Sequence, residues 1–225
     1  MEAPLAQKDV DEALKNLTYK KHSRSAMRKA RALFKKQKKS SQAADLIRAN
    51  CGGNLFVIPN KTRWNSTYDA ILRLNKHIKN SPDNLNGLMD ILGIRRFLET
   101  DIEFLKEYCQ VYRHFANVLD ILQGDTKCFI GVLLPLLSGL TQKLNEEERK
   151  VKICGPLAQA LLGGINDRFW GDFSNDRYYV ASAIHPRFKT VWINDPLKRA
   201  RVWELVRAEL RALKESEAAK SGDTQ

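Results

Sequence analysis

Apolar residues recur at helical spacing along most of this chain. In the first fifty residues Met27, Ala30, Leu33 and Phe34 form a narrow seam on an otherwise polar helix. Ser40-Ser41 interrupt it, and a second short helix over residues 42–49 runs into Cys51-Gly52-Gly53, a C-cap and turn. From Thr62 the chain reads as helix throughout. Trp64, Tyr68, Ile71, Leu72, Asn75 and Ile78 share one face, with one polar interruption. Thr100-Asp101-Ile102-Glu103 has the form of a capping box, with Thr100 as N-cap. The helix it opens carries Phe104, Tyr108, Val111, Phe115, Val118 and Leu122, and Leu105, Cys109, Tyr112 and Leu119 widen that stripe. A face this wide belongs inside a bundle.

Further helices are predicted over residues 128–144, with a kink at Pro135; over 147–169, with a bend at Gly155-Pro156; and over 175–183. Asp195-Pro196 starts the last helix as N-cap and N1, and Val202, Val206, Leu210 and Leu213 are its packing positions. The polar tail from Lys214 is expected to be disordered. The one departure from helical period is Leu55-Phe56-Val57-Ile58, closed by Pro59-Asn60. Four consecutive apolar residues predict a strand buried on both faces. The expected fold is therefore mainly α, a helical bundle with one short strand. Residues 1–60 form a basic helical segment plus that strand, 61–213 an all-helical domain, and 214–225 the tail.

Composition adds charge to this picture. The 225 residues carry 38 Lys and Arg against 26 Asp and Glu, a formal net charge of +12 that favours polyanionic partners. Ten of the cations fall between Lys20 and Lys39, where there is no Asp or Glu. Lys20, Lys21, Arg24, Arg28, Lys29, Arg31, Lys35 and Lys36 are therefore candidate phosphate contacts, giving affinity without sequence readout. The same run reads as a nuclear import signal, or as a solvated charged face. A nuclear location is the expectation, with the cytoplasm as the alternative.

Other chemistry is sparse. Cys51, Cys109, Cys128 and Cys154 form no Cys-x-x-Cys pair, and no histidine stands at ligand spacing from them, so neither metal nor cofactor is expected. Asp9, Asp11, Glu12 and Glu146–Glu148 read as charges in helical first turns. There is no Gly-rich phosphate loop and no Ser/His/Asp signature, so no enzymatic activity and no small-molecule substrate are expected. The polar start MEAPLAQKDVDEA lacks the apolar stretch of a secretory leader. The longest apolar run, residues 128–137, is too short to cross a bilayer, so no membrane partner is expected.

One stretch remains, TRWNSTYDAILRL from Thr62 to Leu74. Lys61, Arg63 and Trp64 stand at a helix mouth directly after the predicted strand. Trp64 offers a stacking surface for an unpaired base, with Arg63 on phosphate. Spacing alone favours Trp64 as the first core residue of an amphipathic helix, since it starts the apolar stripe, with Arg63 solvated.

This stretch resembles the Arg-Trp motif of the hAT superfamily of DNA transposases and their domesticated, BED-finger-associated relatives. FLKEYCQVYRHFANVLDILQGDTKCFIGVLLPLLSGLTQKL, from Phe104 to Leu144, is similar to the helical segment that follows the motif in that family. AIHPRFKTVWINDP, from Ala183 to Pro196, resembles its Pro-Arg-Phe-Lys block, and the basic segment before residue 50 resembles the stretch preceding the motif. The resemblance implies an RNase H-like catalytic domain interrupted by a large helical insertion. Leu55–Ile58 would be the last strand of that sheet and Thr62 the start of the insertion. It also implies that Arg63 and Trp64 correspond to the family's Arg and Trp, of which the Trp stacks on a flipped base. The family's three catalytic acids, its zinc finger and its dimerisation region would fall outside this chain. Three readings follow: a non-catalytic protein binding DNA non-specifically, a helical module docking on a partner such as a full-length transposase-like protein, or a fragment without independent function.

Overall fold

A computed structural model describes residues 5–60, 65–124 and 128–222. Among the described residues there are ten helices and no strand: α1 (Leu5–Ala13), α2 (Leu17–Lys39), α3 (Ser41–Asn50), α4 (Ser66–Asn80), α5 (Pro82–Ile91), α6 (Glu99–Leu122), α7 (Ile130–Glu148), α8 (Gly155–Phe173), α9 (Asp176–Ala183) and α10 (Pro196–Gly222). The chain is mainly α, as its periodicity predicts. It divides into two compact units, one of Met1–Leu119 with Lys143–Gly164, the other of Asp120–Gln142 with Ile165–Gln225.

In the first unit, Asn16 caps α2 by accepting the Tyr19 N–H at 2.9 Å. Ser40 ends α2 and begins α3. Its N–H donates to the Lys36 carbonyl at 3.1 Å, and its hydroxyl accepts the Ala43 N–H at 3.2 Å. The predicted seam of Met27, Ala30, Leu33 and Phe34 is buried, joined by Tyr19 and Ala26. Leu33 is wholly enclosed, so truncating it to Ala should cost about 2–5 kcal/mol. The wide face of α6 is interior as well. Tyr19, Phe104, Tyr108, Tyr112 and Phe115 make a chain of ring contacts with centroids 5.4–6.3 Å apart, and Tyr68 of α4 stacks on Tyr112 at 5.8 Å. Burial among these rings pushes the Cys109 thiol up to about 12 despite a hydrogen bond from Asn75.

Leu55–Ile58 is not a strand. Phe56 alone is buried, while Leu55 and Val57 are 36% and 43% exposed. Its backbone is satisfied by a side chain: Gln37 Nε2 donates to the Phe56 carbonyl at 2.9 Å, and Gln37 Oε1 accepts the Phe56 N–H at 2.8 Å. One amide thus does what a neighbouring strand would do, and Phe56 packs edge-on against Phe34 and His77.

Two predicted helix boundaries also shift. Helix α6 begins at Glu99, upstream of the expected Thr100 cap, and Asp101 accepts the Leu98 N–H at 2.9 Å. Glu103 instead meets Lys152 at 3.1 Å. The helix expected over 147–169 is two, because Gly155-Pro156 starts α8 rather than bending a continuous rod. The Glu107 carboxylate, 8% exposed, accepts the N–H groups of Lys152, Ile153 and Cys154, each at 2.8 Å. It supplies negative charge and acceptors at the amino end of α8, where backbone donors lack partners.

The second unit is built on Leu134, Tyr179, Ala183, Ile193, Val202 and Val206, with α9 against α10. Tyr179 stacks on Trp192 at 5.4 Å, and the Lys198 ammonium lies 4.4 Å from the Tyr179 ring centre. Asn175, expected as the first residue of α9, is its N-cap, and Asp195 accepts the Leu197 N–H at 2.9 Å, as its predicted capping position requires. Helix α10 continues to Gly222, so the polar segment from Lys214 is helical where disorder was expected. Backbones approach closely at Gly131, where an added Cβ would lie 2.4 Å from the Ala181 carbonyl oxygen.

Candidate nucleic-acid interface

Charge is unevenly shared between the units. The first holds 26 Lys and Arg against 15 Asp and Glu, and the second 12 against 11. The surplus cations of the first unit are concentrated on α2. Along this helix Lys21, Arg24, Arg28, Arg31, Lys35 and Lys38 recur at alternating steps of three and four and are all exposed. That spacing places them on one face, opposite the seam of Ala26, Ala30 and Leu33. At 1.5 Å rise per residue the row is about 25 Å long. None of the six has a carboxylate partner among the described residues, so their field is not neutralised locally.

The candidate contacts separate by burial. Lys21, Arg24, Arg28, Arg31, Lys35 and Lys36 are exposed and Lys20 is half-buried. Lys29, expected among the phosphate contacts, is turned inward. Its side chain is 9% exposed, and its ammonium is ion-paired with the Asp101 carboxylate, itself 1% exposed. The reason is angular: Lys29 is three residues after Ala26 and four before Leu33, at the edge of the buried seam. Burial acts to raise the Asp101 carboxyl. Hydrogen bonds from Lys29, the Leu98 N–H and Ser25, with the Lys29 charge, outweigh burial and hold it below its ordinary range.

Lys61, Arg63 and Trp64 lie outside the described residues. The residues flanking them are anchored. The Ser66 hydroxyl donates to the Asn60 carbonyl at 2.6 Å, and Asn65 Nδ2 donates to the Ala116 carbonyl at 3.1 Å.

No group of three His, Cys, Asp or Glu among the described residues is arranged to hold a metal ion. No described helix is long and apolar enough to cross a membrane.

A second surface was not foreseen from the sequence. In the second unit the ring of Phe129, just before α7, stacks on His185 at 4.7 Å and 30°, and His185 meets Phe188 at 5.1 Å. Phe129 and His185 are 56 positions apart, and no local pattern links them.

No protein-family model, curated protein or solved structure matches this chain.

Proposed function

We propose that the chain is a non-catalytic nucleic-acid-binding protein that holds DNA by its phosphates, through the exposed face of α2. The observation that carries this reading is the row of Lys21, Arg24, Arg28, Arg31, Lys35 and Lys38 opposite a buried apolar seam, with no carboxylate neutralising it among the described residues. Six cations along one straight edge suit a polyanion. Contacts to phosphate carry no sequence information, so binding through them would be independent of sequence. The Arg63-Trp64 motif and the Pro-Arg-Phe-Lys block support descent from an hAT-type transposase with a DNA-handling role. The same basic helix would direct the chain to the nucleus.

Titrating duplex DNA against salt tests this. The affinity should fall with a log–log slope of roughly −5 if all six cations meet phosphate, and each cation removed should flatten it by about 0.9. Reversing Arg24, Arg28 and Arg31 to Glu should abolish most binding. A slope near zero, or full affinity in the reversed variant, would reject the reading.

A second reading, a helical protein-interaction module, is favoured by α10. Leu210 and Leu213, expected as packing positions alongside Val202 and Val206, are instead 53% and 59% exposed, on a helix whose side chains are exposed from Arg207 to Ala218. Its test is co-purification with a partner, a full-length transposase-like protein among the candidates, that is lost on Leu210→Asp.

A further inference from the structure

The second unit carries a site of a different kind from the α2 face. The close approach of Gly131 to Ala181 brings the start of α7 beside the end of α9, and so brings Phe129 to His185. Phe129, His185 and Phe188 form a three-ring array in which Phe129 remains 42% exposed. The Arg187 guanidinium lies 5.6 Å from the Phe188 ring centre. Lys189 has φ +49°, the left-handed region that few residues other than Gly adopt, and its side chain is exposed. From Arg177 to Asn194 the chain contains no Asp or Glu, and Arg177, Arg187 and Lys189 have no carboxylate partner among the described residues.

We propose that Phe129, His185 and Phe188 form a stacking platform for unpaired bases of a single-stranded nucleic acid, with Arg187 and Lys189 on its backbone. Aromatic faces flanked by cations that no carboxylate neutralises are what an unstacked strand needs, since every base has a π-face and every link a phosphate. A duplex has its base faces occupied by its own stacking, so this platform discriminates by strandedness. Ile184 and Val191, 66% and 78% exposed, extend the patch with apolar surface. The cations beside it, with no Asp or Glu between Arg177 and Asn194, favour a nucleic acid over a protein partner. The proposal stands independently of the α2 reading.

The test uses the full chain, a labelled oligo-dT strand and a duplex of equal length. Phe129→Ala should weaken oligo-dT binding by about 5-fold or more and leave duplex binding unchanged, since one stacked base contributes at that level. Arg24→Glu with Arg28→Glu should instead weaken the duplex more than the strand. Ultraviolet cross-linking of bound oligo-dT should mark the peptides holding Phe129 or Phe188. Should Phe129→Ala fail to fold, the Arg187→Gln, Lys189→Gln double variant and the cross-link map still decide the matter. Absence of oligo-dT binding, cross-links confined to α2, or an affinity unmoved by these substitutions would overturn the proposal. So would self-association relieved by Ile184→Asp while oligo-dT binding is unchanged, which would make the patch a protein-docking surface.

Discussion

The side-chain amide of Gln37 pairs with the backbone of Phe56 in both directions, donating at 2.9 Å and accepting at 2.8 Å. Gln37 is 8% exposed and Phe56 3%, so neither backbone group has water as a ready substitute. Gln37→Leu would strand one donor and one acceptor, each costing about 1–3 kcal/mol. Gln37→Glu would keep the acceptor but set a carboxylate oxygen against the Phe56 carbonyl. Both variants should lower the urea midpoint without changing the slope. An unchanged midpoint in Gln37→Leu would mean that the pairing contributes nothing to stability.

The Lys29–Asp101 pair predicts strong asymmetry between single and double substitutions. Removing one partner leaves a buried charge without its counterion, so Lys29→Met and Asp101→Leu should each cost about 3–5 kcal/mol. The double variant should recover much of that loss, because two apolar side chains replace two desolvated charges. A double-mutant cycle in urea measures the coupling, and additive single effects would refute it. The pair also makes stability depend on pH. The folded carboxyl titrates below its ordinary 3.8, so the unfolded chain binds more protons in the interval between the two values. The stabilisation is complete above about pH 5 and is lost as pH falls through the folded value. Asp101→Asn should flatten that acid limb.

His77 acts at milder pH. Its Nε2 is buried without a hydrogen-bond partner among the described residues, and its ring meets Phe56 edge-on at 5.4 Å. Burial, and then the nearby Arg73 charge, lower its pKa beneath the usual 6.5. The unfolded imidazole therefore takes up a proton first. Stability should decline as pH falls below about 6.5 and level off once pH passes the folded value. His77→Leu should remove this limb, as melting temperatures at pH 7.5 and 5.5 would reveal. An equal acid loss in the variant would place the proton uptake elsewhere.

Gly131 is where an added methyl group should do most harm. A Cβ there would sit 2.4 Å from the Ala181 carbonyl oxygen, and backbone rather than a flexible side chain would have to yield. Gly131→Ala should destabilise the second unit by about 1–3 kcal/mol, despite the higher helix propensity of Ala. Hydrogen exchange should rise over residues 128–142 and 176–194 and stay unchanged in α2. Gly139, with open space around it, is the control, and its Ala variant should be neutral or mildly stabilising.

Much of the fold was legible along the chain, because helices are encoded locally. The α2 seam, the broad α6 face and the Asp195-Pro196 start depend on residues within a turn or two of each other. The misreadings share a cause. Leu55–Ile58 was expected to need a sheet because four apolar residues occur in a row, but Gln37 lies 19 positions earlier and satisfies Phe56 alone. Gly155-Pro156 reads as a bend until Glu107, 45 to 47 positions away, supplies the acceptors for a separate helix start.

The sequence by itself determined a mainly helical chain and a cationic run without local acids, because helix period and charge content are properties of neighbouring residues. Only the tertiary structure decided which cations face outward. Lys29 is one of ten in that run, yet a carboxylate 72 positions later neutralises it inside the fold. The Phe129–His185 stack likewise depends on two backbones meeting at a glycine. Partners so distant in the chain have no period or spacing to announce them, since packing rather than sequence separation sets their distance.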